Sequence, residues 1–245
     1  IAFGVQMYCD FSGYSDIAIG GAAILGFKIP LNFNKPFFAT SPSDFWTRWH
    51  ISLSTWVRDY LYYPLVFKNR KSNSLVFISL LISMIVMGIW HGASWNFLIW
   101  GGIHGVFLVC FTMLRKKFPT ASSNKFFKSK LGKIFSILVT QYLIFLTFIV
   151  FWMKDLEHMI YAVKKYIFLD FALDKTIDIV DANEFPIFLL ILFGILHYLS
   201  YRNGNLPERL SKLKIHHWIG VLFVIFLLVA MFYVGGNREF IYFQF

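Results

Sequence analysis

Charge and cysteine are what this sequence has least of. Charged side chains make up 15% of its 245 residues, against roughly 25% in soluble domains. Acidic residues are the scarcer sign, with 13 Asp and Glu against 23 Lys and Arg. The two cysteines, Cys9 and Cys110, sit in apolar context without a partner at close spacing. Neither a disulfide framework nor a thiolate metal site is indicated. No Walker-type glycine-rich loop is present, and no Gly-x-Ser-x-Gly nucleophile elbow. No His-x-x-x-His spacing marks a metal site, and there is no internal repeat or low-complexity tract.

What the chain has instead is apolar length. Hydrophobic residues are 58% and aromatics 20%, with mean hydropathy +0.61. A spanning helix needs about 20 mostly apolar residues, and such runs occur at about 74–90, 95–114, 134–153, 185–200 and 217–234. The net charge of +10 would suggest nucleic acid in a soluble protein. Here the basic residues lie in short loops between apolar runs, which is the positive-inside pattern and argues against nucleic-acid binding.

Loop 68–71 is basic, the stretch Arg115–Lys133 carries seven Lys/Arg and no acid, and 201–214 is basic again, whereas acids outnumber bases in 154–184. Threading the runs in order puts every basic loop on the cytoplasmic side. The expectation is a multi-pass membrane protein, with the lipid bilayer as its first partner. The chain opens at Ile1 inside an apolar run, and 1–245 is read as the C-terminal part of a single larger domain.

Two segments do not fit free spans. Run 1–27 contains Asp10, Ser12 and Asp16, which must face protein or water. Residues 28–43 hold Pro30, Pro36 and Pro42 and read as a loop. From Asp44, capped by Ser43 or Asp44 itself, one amphipathic helix is expected through Leu61 and to end at Pro64. Its polar stripe is Arg48, Ser52, Thr55 and Asp59, and its aromatic face includes Trp46, Trp49 and His50. Too polar to span freely, it reads as interfacial or re-entrant.

Of seven histidines, His158, His197, His216 and His217 read as structural or solvated. His50, His91 and His104 lie among apolar and aromatic residues, where an ionisable group is a functional hypothesis by default. His91 sits in Gly88-Ile89-Trp90-His91-Gly92-Ala93, with Gly101, Gly102 and Gly105 following. Small residues let helices approach closely or leave room for a substrate. A desolvated neutral imidazole suits proton abstraction from an alcohol. The alternative for each histidine is a packed side chain with one satisfied hydrogen bond, and for His104 this structural reading is preferred.

Four blocks in order carry a resemblance: Tyr8-Cys9-Asp10-Phe11-Ser12-Gly13-Tyr14-Ser15-Asp16, Asn32-Phe33-Asn34-Lys35-Pro36-Phe37, Asp44 to Trp56 with Arg58-Asp59-Tyr60-Leu61, and Ile89-Trp90-His91-Gly92-Ala93. They resemble the membrane-bound O-acyltransferase family, in particular its bacterial alginate O-acetyltransferase branch. After Tyr-Pro-Leu, that branch often carries a Gly-Gly-Asn-Arg loop, where this chain has Val66-Phe67-Lys68-Asn69-Arg70-Lys71.

The resemblance implies an all-α polytopic membrane protein, a ring of tilted transmembrane helices plus re-entrant or amphipathic helices around a central funnel. It implies catalytic roles for His91 and His50, with Asp10, Ser12, Trp49, Trp90, Asn96 and His104 as site-lining candidates and no metal. No bound cofactor is expected. An acyl thioester is the donor substrate, of the acetyl-CoA or acyl-carrier kind. The acyl group, acetyl in this branch, passes toward hydroxyls of an extracytoplasmic polysaccharide, often through a separate extracytoplasmic acyltransferase partner. D-alanyl transfer to teichoic acid by the same fold and a non-enzymatic transporter or scaffold are the alternatives.

Overall fold

The computed structural model describes residues 1–67, 72–120, 124–169, 173–204 and 206–232. The basic loop 68–71, residues 121–123 of the second basic loop, and 233–245 lie outside the described residues. The chain divides into two compact units, the first Ile1–Ala182 and the second Asn183–Gln244. Among the described residues every regular element is helical.

The first unit begins with α1 (Ala2–Ile24) and a 3-10 turn at Pro36–Phe38. Then come α2 (Pro42–Trp46), α3 (Ile51–Val57), a π-helical turn (Arg58–Tyr62) and α4 (Tyr63–Val66). Two long helices follow, α5 (Asn73–His91) and α6 (Trp95–Lys117), then the short α7 (Lys125–Lys128), the long α8 (Lys130–Trp152), α9 (Leu156–Ile167) and α10 (Leu173–Asp181). The second unit contains α11 (Glu184–Asn203), α12 (Leu206–Ser211) and α13 (Ile215–Phe232).

Among the described residues, four helices are long and apolar enough to cross a membrane: α5, α6, α8 and α11. Their bounds fall within a few residues of four of the runs expected from sequence. The fifth run corresponds to a shorter apolar helix, Ile215–Met231, and its last residues, 233 and 234, lie outside the described part.

α5 shows why these helices belong in lipid. Its Ile78, Ile82, Val86 and Ile89 are exposed, whereas Ser79, Ser83 and Gly88 are buried. That arrangement inverts the pattern of a soluble helix. Hydrocarbon tails accept the isoleucines, and the small and polar residues are left to pack against protein.

α5 and α6 form the most extensive helix pair, and glycine is the reason. A Cβ added at Gly88 would overlap the Phe97 carbonyl, and one at Gly101 would overlap the Met84 carbonyl. Without side chains at these points the two backbones touch. Of the two uses open to the small residues around His91, close helix approach is the one seen here.

Helix starts follow local chemistry. The Ser41 hydroxyl accepts the Asp44 N–H at 3.1 Å, and Pro42 occupies the first turn of α2. Ser72 and Ser129 cap α5 and α8 in the same way. Asp155 caps α9, taking the His158 N–H at 2.8 Å and His158 Nδ1 at 2.7 Å. Those backbone and side-chain bonds from His158 hold the Asp155 carboxyl below the usual range.

The single amphipathic helix expected over Asp44–Leu61 is not formed. Helix starts earlier, at Pro42, and stops at Trp46. The chain turns through Thr47–His50, where His50 takes a left-handed conformation at φ 43°, and helix resumes at Ile51. Pro64 does not end it: after the π turn the helix continues through Val66. No glycine or proline causes the break. It is imposed from outside by the loop at 32–34, whose backbone pairs with the turn. The Asn34 N–H donates to the Arg48 carbonyl and the Ile51 N–H to the Asn32 carbonyl, both at 2.9 Å. Arg48 meets Asp44 at 2.7 Å and donates to the Asn34 carbonyl at 3.3 Å. Tertiary hydrogen bonds have overridden a helical pattern.

The segment 154–184, read from sequence as an acidic stretch, contains two amphipathic helices, α9 and α10. In the second unit His197 is buried rather than solvated, against Phe193 at 5.1 Å between ring centroids.

Candidate functional site

His91 is the last residue of α5, followed by Gly92. Among the described residues, four aromatic rings surround the imidazole, the farthest being Phe97 of α6 at 6.2 Å between centroids. Trp100 of α6 and Phe151 of α8 meet it nearly perpendicularly, each at 5.2 Å between centroids, and Trp90 lies at 5.0 Å. Trp100 and Phe151 also touch each other, at 5.3 Å. Three helices therefore fix one imidazole, and they do so by packing.

His50 is fixed differently. Phe11 of α1 meets its ring edge-on at 4.7 Å. The rest is polar. Ser52 Oγ lies 3.5 Å from His50 Nδ1 and donates to Asn32 Oδ1 at 2.6 Å. Asn32 Oδ1 also accepts the Ser52 N–H, and Asn32 Nδ2 donates to Ser15 Oγ at 3.3 Å. Because the Ser52 proton goes to Asn32, Ser52 faces His50 as an acceptor. His50 Nδ1 then carries the proton, and Nε2 is the nitrogen with the lone pair. His50 lies outside the four candidate spans, and burial pushes its imidazole down to about 4, so the ring is neutral at ordinary pH.

Trp90 joins the two histidines. Its ring stands 6.4 Å from His50 and 5.0 Å from His91, and it is 57% exposed.

The remaining sequence candidates divide into two groups. Asp10 and Ser12 flank Phe11 on α1 and are half-buried. Trp49, Asn96 and His104 lie in the packed interior. Trp49 packs among Phe33, Phe45 and Phe148. Asn96 Nδ2 donates to the Phe151 carbonyl at 2.7 Å, and His104 Nε2 meets Thr147 Oγ1 at 3.0 Å. Sequence reasoning passed over Asn32, Ser15, Phe151 and Thr147. Asn32 lay within a quoted block, but nothing local marks Thr147 or Phe151, which join the site only through helix packing. No group of three or more His, Cys, Asp or Glu able to hold a metal occurs among the described residues.

A cavity of about 400 Å³ lies between α2, α3, the π turn, α5 and α6, and neither His50 nor His91 is part of its lining. Its wall includes Trp46, Thr55, Arg58, Ser83, Met84 and Met87. Met87 is one helical turn before His91. Trp46 Nε1 and Ser83 Oγ are buried with no hydrogen-bond partner among the described residues. π turns inside helices recur at functional sites, and this one supplies Arg58 and Tyr62 to the wall.

Membrane-length helices thus share a unit with a half-buried histidine pair and a partly polar cavity. A family model described as the membrane-bound O-acyltransferase family matches residues 1–153, a stretch that contains both histidines and the cavity. The chain belongs to that family.

Among curated relatives, a probable alginate O-acetylase of Azotobacter vinelandii is 49% identical over 115 residues, 47% of this chain and 23% of the relative. A peptidoglycan O-acetyltransferase of Helicobacter pylori is 38% identical over 164 residues, 67% of this chain and 30% of the relative. A teichoic acid D-alanyltransferase of Bacillus subtilis is 36% identical over 169 residues, 64% of this chain and 41% of the relative. The matched segments thus span less than half the length of each of these relatives.

Proposed function

We propose that the protein to which this chain belongs is a membrane-bound O-acyltransferase that moves an acyl group, acetyl first, from a cytoplasmic thioester to a hydroxyl of an extracytoplasmic polysaccharide. It acts in a bacterial cytoplasmic membrane. The observation that carries the reading is the His91–Trp90–His50 arrangement within the matched region. The identity to an alginate O-acetylase supports acetyl over D-alanyl as the group moved.

An imidazole nitrogen of His91 takes the proton of the acceptor hydroxyl as its oxygen attacks the thioester carbonyl. The carbon–sulfur bond breaks, and the leaving thiolate takes that proton from the imidazolium. The end of α5 carries partial negative charge, which suits an imidazole that must hold a proton briefly. The His50 tautomer favours orienting the acceptor hydroxyl through Nε2, since a donor to the oxyanion would need its proton there. The cavity suits the thioester end of the donor, with Trp46 Nε1 and Ser83 Oγ available to hydrogen-bond a carbonyl. An extracytoplasmic acyltransferase partner is part of this proposal.

Membranes holding the full-length protein, given radiolabelled acetyl thioester and envelope polysaccharide, test it. Label is expected on polysaccharide hydroxyls. If a solute crosses the membrane while no label is transferred, a transporter replaces the enzyme.

A further inference from the structure

One face of α6 carries Asn96, Trp100 and His104, spaced i, i+4, i+8, with exposures of 0%, 4% and 1%. α8 answers with Thr147 and Phe151, also one turn apart. Two hydrogen bonds join the faces, Asn96 to the Phe151 carbonyl and His104 Nε2 to Thr147 Oγ1. Trp100 and Phe151, the two rings that meet His91 at right angles, lie between those bonds. His104 packs on Trp100 at 4.7 Å and on Trp46 at 5.0 Å.

The protonation of this bond follows from its neighbour. Thr147 Oγ1 donates to the Ile144 carbonyl at 2.7 Å, so toward His104 it can only accept. His104 Nε2 therefore carries the proton and donates. Nδ1 is left buried with no hydrogen-bond partner among the described residues. A leucine or phenylalanine would fill the space without that desolvation cost. What the imidazole–hydroxyl bond adds is direction, since it sets the angle of a flat ring against Trp100.

We propose that the His104–Thr147 hydrogen bond is a positioning device for His91, acting through Trp100, and that neither His104 nor Thr147 touches substrate. The proposal rests on reading His91 as the base. His104, taken from sequence as a structural residue or a wall of the site, thereby becomes a positioning residue. It sits one contact behind the wall, and the quantity it controls is the orientation of the imidazole at the end of α5. A misplacement of about 1 Å at a reacting group can cost about 100-fold in rate, so a small rotation of Trp100 reads out in turnover.

The test uses the full-length membrane-inserted protein with labelled acetyl thioester, comparing Thr147→Val, Thr147→Ser and His104→Gln. Rates are taken per folded molecule, counted from the monodisperse fraction in detergent. Thr147→Val keeps the shape and removes the hydroxyl. It is expected to lower kcat about tenfold with donor KM unchanged, while Thr147→Ser stays within about twofold of wild type. His104→Gln retains an N–H donor but loses the flat ring, and a similar fall in kcat alone is expected, which gives an independent reading if Thr147→Val does not fold.

A purely structural pair predicts less folded protein with normal kcat per folded molecule, and that result overturns the proposal. So does a Thr147→Ser enzyme as slow as Thr147→Val, or a rise in KM in place of the fall in kcat. His91→Gln is assayed alongside. If it keeps turnover, the base assignment fails and the positioning role with it. If it loses turnover while Thr147→Val and His104→Gln do not, only the positioning role is lost.

Discussion

His91 and His50 both meet the ring of Trp90, yet the chain holds them by different means. His91 ends a regular spanning helix and is gripped by rings from α6 and α8, on a helix pair brought together by Gly88 and Gly101. His50 occupies a break between two short helices, in a left-handed conformation held by hydrogen bonds from the loop at 32–34. Rings from two other helices close on one imidazole, and a polar strap holds the backbone break that carries the other. The difference teaches that, at this site, shape fixes the proposed base and hydrogen bonding fixes its companion, so the two should fail in different ways.

The largest effect belongs to His91 itself. His91→Ala should lower acyl transfer about 10²- to 10⁴-fold, the usual range for a positioned proton-transfer group, with folded yield and membrane insertion unchanged. Turnover per folded molecule checks it.

Gly101→Leu attacks the packing. The new side chain must displace the Met84 carbonyl, and overpacking of this kind costs about 1–3 kcal/mol or more. Folded yield and thermal midpoint should fall together with activity, and activity per folded molecule should fall too.

Asn32→Ala attacks the strap. It removes the acceptor of two Ser52 hydrogen bonds, each worth about 0.5–1.5 kcal/mol net. Activity should drop about tenfold with only a small change in thermal midpoint. A loss of stability as large as that of Gly101→Leu would erase the contrast between the two regions.

The smallest expected effect is a null. Burial lowers the His50 pKa to about 4, so its protonated fraction is already negligible at neutral pH. The ratio of wild-type to His50→Ala rates should therefore be flat between about pH 6 and 8. A ratio that changes across that window would show a His50 that titrates there.

The same contrast explains what could be read from sequence. The spans could: α5, α6, α8 and α11 lie within a few residues of their apolar runs, because length and composition decide whether a helix suits a bilayer. His91 was visible for the same reason, as a histidine at the end of such a run among glycines. The break at Thr47–His50 could not be seen. Phe45 to Leu61 has no glycine or proline and a regular polar stripe, and only partners some 15 residues earlier interrupt it. Histidine is among the residues that tolerate positive φ more readily, but nothing local asks for it. α9 and α10 were hidden inside a segment read for charge alone. Thr147 was missed because a threonine in an apolar run becomes meaningful only when another helix sets His104 against it. Asn96 and His104 were named as wall residues. The structure buries both and bonds each to α8.

The central claim is that His91 performs the proton transfer of an acyl-transfer reaction. Single-turnover transfer tests it most directly, with labelled acetyl thioester prebound to full-length wild type or His91→Gln and the acceptor polysaccharide added by rapid mixing. Undiminished donor binding and a transfer step slowed at least about 100-fold are expected in the variant. Transfer at the wild-type rate, with donor bound equally in both proteins, would contradict it.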